Sequence, residues 1–174
     1  MPKMIGWREV MERIKELYEL YKEAIFGYFL RMVGNKEEAG ELTQEAFFQA
    51  CLSLHKFKGK ASLKTWFFAI ARNVYLKHLR EKNRVVILPL VEQALKETNS
   101  PLEILVEKEE LKKFQQVLEK LPENFRTIII LREYEQFSYE EIATIFGQTV
   151  NWARVTFFRA KKQLVDTYRK LEDE

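Results

Sequence analysis

The residues of this chain best suited to chemistry are cations and aromatics set at helical spacing, and what they suit is binding a polyanion. The stretch Ser138–Lys162 shows it most clearly. Ser138 and Glu141 have the spacing of a capping box, so a helix begins at Tyr139, with Phe137 and Ile142 placed as a hydrophobic staple. Gly147 suits the left-handed residue that ends this helix, and Thr149 can cap the next one. The second helix carries Ala153, Phe157, Ala160 and Leu164 at i, i+4, i+7, i+11, which is one buried face. Its other side presents Asn151, Arg154, Val155, Phe158, Arg159 and Lys162. A short helix, a glycine turn and a helix with a cationic outer face form a helix-turn-helix whose second helix fits a DNA major groove. The competing reading of the same residues is an αα-hairpin with a solvated basic face.

A second basic zone lies far upstream. From His55 to Arg84 the cations are Lys56, Lys58, Lys60, Lys64, Arg72, Lys77, Arg80, Lys82 and Arg84, opposed by Glu81 alone. From Arg154 to Lys170 there are six basic residues against Asp166. Lys36–Leu54 runs the other way, with Glu37, Glu38, Glu41 and Glu45 against Lys36. A net charge of +3 conceals this segregation. Two separated basic zones imply two contacts with one polyanion, and the acidic segment implies a basic protein partner.

Other chemistries find no support in the pattern. His55 stands four residues after Cys51, a conceivable metal pair, but no third or fourth ligand follows at suitable spacing. His78 reads as a surface or satisfied core histidine. No Gly-rich phosphate loop and no nucleophile–base arrangement occurs, so no catalytic residue, metal or cofactor is expected. One cysteine excludes an internal disulfide framework and fits a reducing compartment. The 47% hydrophobic and 32% charged shares are those of a soluble globular protein. No apolar run approaches the ~20 residues that span a bilayer. A cytoplasmic protein without membrane insertion is the expectation.

The elements that must position these residues are all helical. Trp7, Val10, Met11, Ile14, Leu17, Tyr18, Tyr21, Ile25, Tyr28, Phe29 and Met32 mark one long amphipathic helix, or two with a break before Tyr21, ending at Gly34-Asn35. Asn35 can cap a second helix with Ala39, Leu42, Thr43, Ala46, Phe47, Ala50 and Leu54 inward and Glu41, Gln44, Glu45 and Phe48 outward. Phe48, a large apolar side chain on a charged face, is placed to anchor a partner helix. Phe57-Lys58-Gly59-Lys60-Ala61 is a basic loop. A third helix runs from about Ser62 to Lys82, with Leu63, Trp66, Phe67, Ile70, Ala71, Val74 and Leu79 inward. Lys64, Phe68, Arg72, Tyr75 and Lys77 mark its outer side, where cations interleave with aromatics as single-stranded nucleic acid requires. Phe68 and Tyr75 either complete that surface or widen the core stripe. Residues 85–99 carry an apolar run, Val85 to Val91, that needs covering. Ser100, Pro101 and Glu103 start a fourth helix through Leu105, Leu111, Phe114, Leu118 and Leu121. Pro122 restarts the chain for Phe125, Ile128, Ile129, Leu131 and Tyr134. The expectation is an all-α protein of two small helical domains, 1–84 and 100–174, joined by a linker, 85–99.

In this order the motifs resemble those of bacterial RNA polymerase sigma factors of the extracytoplasmic-function (ECF, group four) type. The first domain contributes Glu41-Leu42-Thr43-Gln44-Glu45-Ala46-Phe47, Phe57-Lys58-Gly59, Thr65-Trp66 and Ile70-Ala71-Arg72-Asn73. The second contributes Leu121-Pro122, Leu131-Arg132-Glu133, Phe137-Ser138-Tyr139-Glu140-Glu141-Ile142-Ala143 and Arg159-Ala160. The resemblance implies a region 2-like bundle and a region 4-like helix-turn-helix domain. It implies that Glu41, Gln44, Glu45 and Phe48 dock on the clamp helices of the largest subunit of core RNA polymerase, with the second domain at the flap. It assigns −10 melting and capture of the non-template single strand to Phe57, Lys58, Lys60, Ser62, Lys64, Phe68, Arg72, Asn73, Lys77 and Arg80. It assigns −35 duplex reading to Arg132, Asn151, Arg154, Val155, Phe158, Arg159 and Lys162. The linker would thread the polymerase, and an anti-sigma factor is the usual regulator of the group. The chain departs from the pattern at Lys77, at Gly40, and in Asn151-Trp152-Ala153 and Val155-Thr156, where Thr156 lacks a cation that would meet phosphate. Trp152 is expected to pack rather than to read bases. A stand-alone helix-turn-helix regulator is the rival reading; it leaves the first basic zone without a task.

Overall fold

The computed structural model describes residues 6–84 and 102–173. The expected linker, 85–99, and the Ser100-Pro101 helix start lie outside them. The described residues form seven α-helices and no strand. Helix α1 is unbroken from Trp7 to Val33. It ends because Gly34 adopts a left-handed φ of 70° and its N–H donates to the Leu30 carbonyl at 2.8 Å. Helix α2 (Lys36–Ser53) starts on the Asn35 side chain, which accepts from the Glu38 N–H at 2.9 Å. One 3-10 turn, Leu54–Lys56, leads into the basic loop. The Ser62 hydroxyl then accepts from the Thr65 N–H at 3.1 Å at the start of α3 (Leu63–Arg84).

Helix α4 (Leu102–Lys120) precedes α5 (Glu123–Ile129), which Pro122 opens with its fixed φ. The triple isoleucine Ile128–Ile130 is helical and buried, as its flanks dictate rather than its strand propensity. The chain widens into one π turn, Ile130–Tyr134, and turns back at Gln136, whose φ is 57°. Helices α6 (Tyr139–Phe146) and α7 (Val150–Glu172) follow. The capping box is complete: Glu141 N–H donates to the Ser138 hydroxyl at 3.1 Å, and Ser138 N–H to the Glu141 carboxylate at 2.8 Å. Gly147 is left-handed, and the Thr149 hydroxyl accepts from the Trp152 N–H at 3.1 Å.

Helices α1–α3 bury Ile25, Tyr28, Phe29, Ala46 and Phe67; α4–α7 bury Leu118, Ile128, Ile142 and Ala160. The two halves share one continuous core, joined where Phe68 of α3 meets Phe137 at a ring separation of 5.0 Å. Thr156, where the resemblance would put a cation against phosphate, is 6% exposed and lies in the core. It follows Ala153 by three residues and precedes Ala160 by four, so it extends the same buried stripe.

Gly40 lies inside α2, and a Cβ built there meets nothing within 4 Å. Gly40→Ala is therefore expected to stabilise the protein by ~0.5–1 kcal/mol. A rise in the thermal unfolding midpoint checks this; a fall would mean the helix needs the glycine.

Candidate nucleic-acid and partner-protein interfaces

Helix α7 presents the expected cationic face. Asn151, Arg154, Val155, Phe158, Arg159 and Lys162 are all exposed, Phe158 at 73%. The Ser138 capping box, the left-handed Gly147 and the Thr149 cap fix where α6 and α7 begin and end. Trp152 is turned away from it, packing on Phe146 at a ring separation of 5.0 Å. Arg132 behaves differently from a free groove contact. Its Nη1 donates to the Phe137 carbonyl at 2.7 Å, and its guanidinium stacks on Tyr139 at 4.4 Å. Arg154 approaches the same ring at 5.8 Å, so Tyr139 joins the two arginines at the edge of the recognition face.

On α2, Glu41, Gln44 and Phe48 are exposed and Glu45 is half-buried, sharing its carboxylate with Gln49 Nε2 at 2.8 Å. Leu52, one turn beyond Phe48 and 54% exposed, extends this face and was not singled out in the sequence. Its i+4 spacing from Phe48 was the available signal.

The −10 set divides in two. Lys58, Lys60, Ser62, Asn73, Lys77 and Arg80 are exposed, and Phe57 packs on Trp66 at 5.2 Å. A cavity of about 260 Å³ opens between Phe57, Lys60, Trp66 and Thr144 of α6. A groove of about 340 Å³ brings Asn73, Lys77 and Arg80 opposite Glu45 and Gln49 of α2. The remaining three face the other half of the molecule. Phe68 is 0% exposed, which corrects its expected outward position: the ring sits between Tyr28 and Phe137. Tyr75 is likewise buried. Lys64 Nζ donates to the Glu135 carbonyl oxygen at 2.9 Å and lies over the Phe137 ring at 4.7 Å. Arg72 pairs with Glu123 at 3.2 Å and covers Phe146 at 4.0 Å.

Arg126, another residue the sequence reading passed over, fastens the same junction. Its Nη1 donates to the Met32 carbonyl at 2.8 Å and reaches Tyr75 Oη at 3.3 Å. Gln115 Nε2 donates to the Arg31 carbonyl at 3.1 Å, and Arg31 stacks on Tyr134 at 4.1 Å. Burial raises the Glu135 carboxyl pKa, against the opposing charges of Lys64 and Arg31. Burial would also raise that of Glu38, but hydrogen bonds from His78 and Lys82 outweigh it and hold the carboxyl below its ordinary value.

Two family profiles match the two halves: sigma-70 region 2 over residues 17–85, and sigma-70 region 4 over residues 111–164. The RNA polymerase sigma-H factor of Pseudomonas aeruginosa is 31% identical over 175 residues, covering 90% of this chain and 91% of its own. The chain belongs to the ECF group of RNA polymerase sigma factors. The RNA polymerase sigma factor YlaC of Bacillus subtilis is 29% identical over 166 residues, covering 94% of this chain and 96% of its own. Among solved structures, the sigma factor RpoE of Bartonella quintana, in complex with the anti-sigma factor NepR, matches with a TM-score of 0.71. It is 22% identical, with 91% of this chain and 98% of that chain covered. CnrH, in complex with the cytosolic domain of CnrY, matches at 0.67 with 18% identity, covering 90% and 87%. Both support the fold. In this sigma factor the region 2 match runs from Leu17 within α1 to the end of α3, and the region 4 match from Leu111 within α4 to Leu164 within α7. No described helix is long and apolar enough to cross a membrane.

Removing the carboxylate of Glu123 leaves the half-buried Arg72 guanidinium without its ionic partner. Glu123→Ala is therefore expected to destabilise the protein by ~1–3 kcal/mol. Denaturant unfolding of the variant measures it; no loss would mean that Arg72 turns outward to water at little cost.

Proposed function

We propose that this sigma factor docks on core polymerase through the α2 face and grips a promoter at two points. The observation that carries the reading is the separation of an acidic, aromatic α2 face from two cationic, aromatic faces on the same chain. Glu41, Gln44, Glu45 and Phe48 are the docking residues, toward the clamp helices of the largest subunit. Asn151, Arg154, Val155, Phe158, Arg159 and Lys162 enter the major groove of the −35 element, where cations meet phosphates and guanine edges. Arg132 acts there indirectly, by orienting Tyr139 and through it Arg154. The loop Phe57–Ser62 and the α3 residues Asn73, Lys77 and Arg80 receive the melted −10 strand. Base extrusion costs a few kcal/mol, which a stacking surface beside cations offsets. The chain acts as a cytoplasmic initiation factor with no catalysis, metal or cofactor of its own; the polymerase performs the chemistry.

Lys64, Phe68 and Arg72 enter this scheme once region 4 leaves the α3 face, because the carbonyl of Glu135, Phe137 and Glu123 occupy them in the closed arrangement. DNA phosphates then take the places of the Glu135 carbonyl and the Glu123 carboxylate. An anti-sigma factor, such as the partner in the RpoE–NepR structure, would cover the same docking and DNA-binding faces.

Run-off transcription with purified core polymerase on genomic fragments tests the proposal. Specific transcripts are expected; their absence, with no co-purification of core, overturns it. A stand-alone regulator would bind its duplex without polymerase. Arg154→Ala is expected to weaken −35 recognition by ~1–3 kcal/mol if its guanidinium reads a guanine. Equal loss on a scrambled −35 element would reassign Arg154 to phosphate. Glu45→Lys combined with Phe48→Ala should abolish polymerase binding in a pull-down while the circular dichroism spectrum is retained.

A further inference from the structure

Helix α1 carries a strict alternation of four- and three-residue steps, through Trp7, Met11, Ile14, Tyr18, Tyr21 and Ile25. That is a coiled-coil seam. From Leu17 onward the helix enters the bundle: Leu17 and Ile25 are buried and Tyr21 packs against the core, while Tyr18 stays 48% exposed beside Phe47. Among the described residues before Leu17 no side chain is buried: Trp7 is 86% exposed and Met11 61%. Among the described residues, about three turns of helix thus carry an apolar seam that only Phe47 of α2 borders, with Val10 and Ile14 half-buried. Short helices without packing are marginal in water, so this extension gains most from a second helix laid along it.

The geometry points to an acidic amphipathic helix of another protein as the occupant of this groove. The groove has a volume of about 490 Å³ and lies between α1 and Phe47 of α2, with Tyr18 stacked on Phe47 at 5.2 Å. With Met11 and Tyr18 at the a positions, the g flank is Val10 and Leu17, and Leu17 is buried in the bundle. A partner helix must therefore approach over the e flank, which is Arg8 and Lys15. Among the described residues, Glu12 is the single carboxylate lining the groove. Acidic residues on the partner's facing flank complement these two cations, as e and g charges do in coiled coils. A second copy of this chain fits poorly. Antiparallel pairing sets Arg8 and Lys15 against their equivalents, and parallel pairing needs the g flank that the bundle already covers. The surface is separate from the outward face of α2 assigned to polymerase.

Two designed peptides, each about three heptads long with leucine at a and d, test this. One carries glutamate at e and g, the other lysine, which keeps each monomeric by self-repulsion. Fluorescence anisotropy with the full chain should show the glutamate peptide binding on the order of ten-fold more tightly than the lysine peptide. Arg8→Glu with Lys15→Glu should invert the preference, and Met11→Asp should abolish binding of both. These residues are unburied, so an unchanged melting temperature confirms that the fold is retained. Binding of neither peptide, or of both alike, overturns the inference. Self-association of the chain that Met11→Asp removes would give the groove to a second copy. Loss of core polymerase binding in Met11→Asp would give it to polymerase. Either result also overturns the inference.

Discussion

The closed arrangement depends on how the carbonyl ends of two helices are satisfied at one point. Helix α1 ends at Val33 and α4 at Lys120, and each leaves terminal carbonyls without intrahelical donors. Arg126 supplies them. Its Nε donates to the Leu118 carbonyl at 2.8 Å, and its Nη2 to the Glu119 and Leu121 carbonyls at 2.8 and 3.2 Å. Its Nη1 takes the Met32 carbonyl across the junction. A planar cation with five donors suits this position, where a lysine could not reach so many acceptors in fixed directions. It also places positive charge at two helix C-termini, where the macrodipole favours it.

With that corner fixed, α6 packs on α3, and Arg72 and Tyr75 meet Glu123 and Arg126 of α5 rather than solvent. The aromatic chain Trp152–Phe146 continues the contact, since Phe146 carries Trp152 on one side and Arg72 on the other. The turn of the helix-turn-helix is therefore packed, through one phenylalanine, onto a helix of the other half. The cationic face of α7 takes no part in this junction and is exposed among the described residues. One cationic surface is free in the closed form while part of the other is engaged within the chain. The two differ in kind as well as in place.

The first half shows a related division. The inner half of α1 and the inner face of α2 build the core, while the outer α2 face and the amino-terminal turns of α1 leave large apolar side chains in water. Isolated exposed aromatics are ordinary on protein surfaces. Phe48 with Leu52, and Trp7 with Met11, are pairs one helical turn apart. Each sets two large apolar side chains next to one another on an exposed helix face.

The sequence by itself determined what short-range physics controls. The caps at Asn35, Ser138 and Thr149 follow from side chains bonding backbone three residues on, the left-handed glycines at 34 and 147 from the missing Cβ, and the helix restart at Pro122 from its fixed φ. The α7 outer face and the α2 outer face were legible for the same reason: helical periodicity decides which side a residue takes. Residues on the margin of a stripe were not legible. Phe68, Tyr75 and Thr156 sit where periodicity allows core or surface, and the outcome depended on what packed against them. Arg72, Lys64 and Arg132 read as free cations because a sequence shows their charge and not their partners. Glu123, the Glu135 carbonyl and the Phe137 carbonyl reach them only through the turn at Gln136 and the docking of α5 and α6. Tertiary structure alone decided which cations are satisfied internally, since a half-buried charge takes whatever acceptor the fold brings within reach.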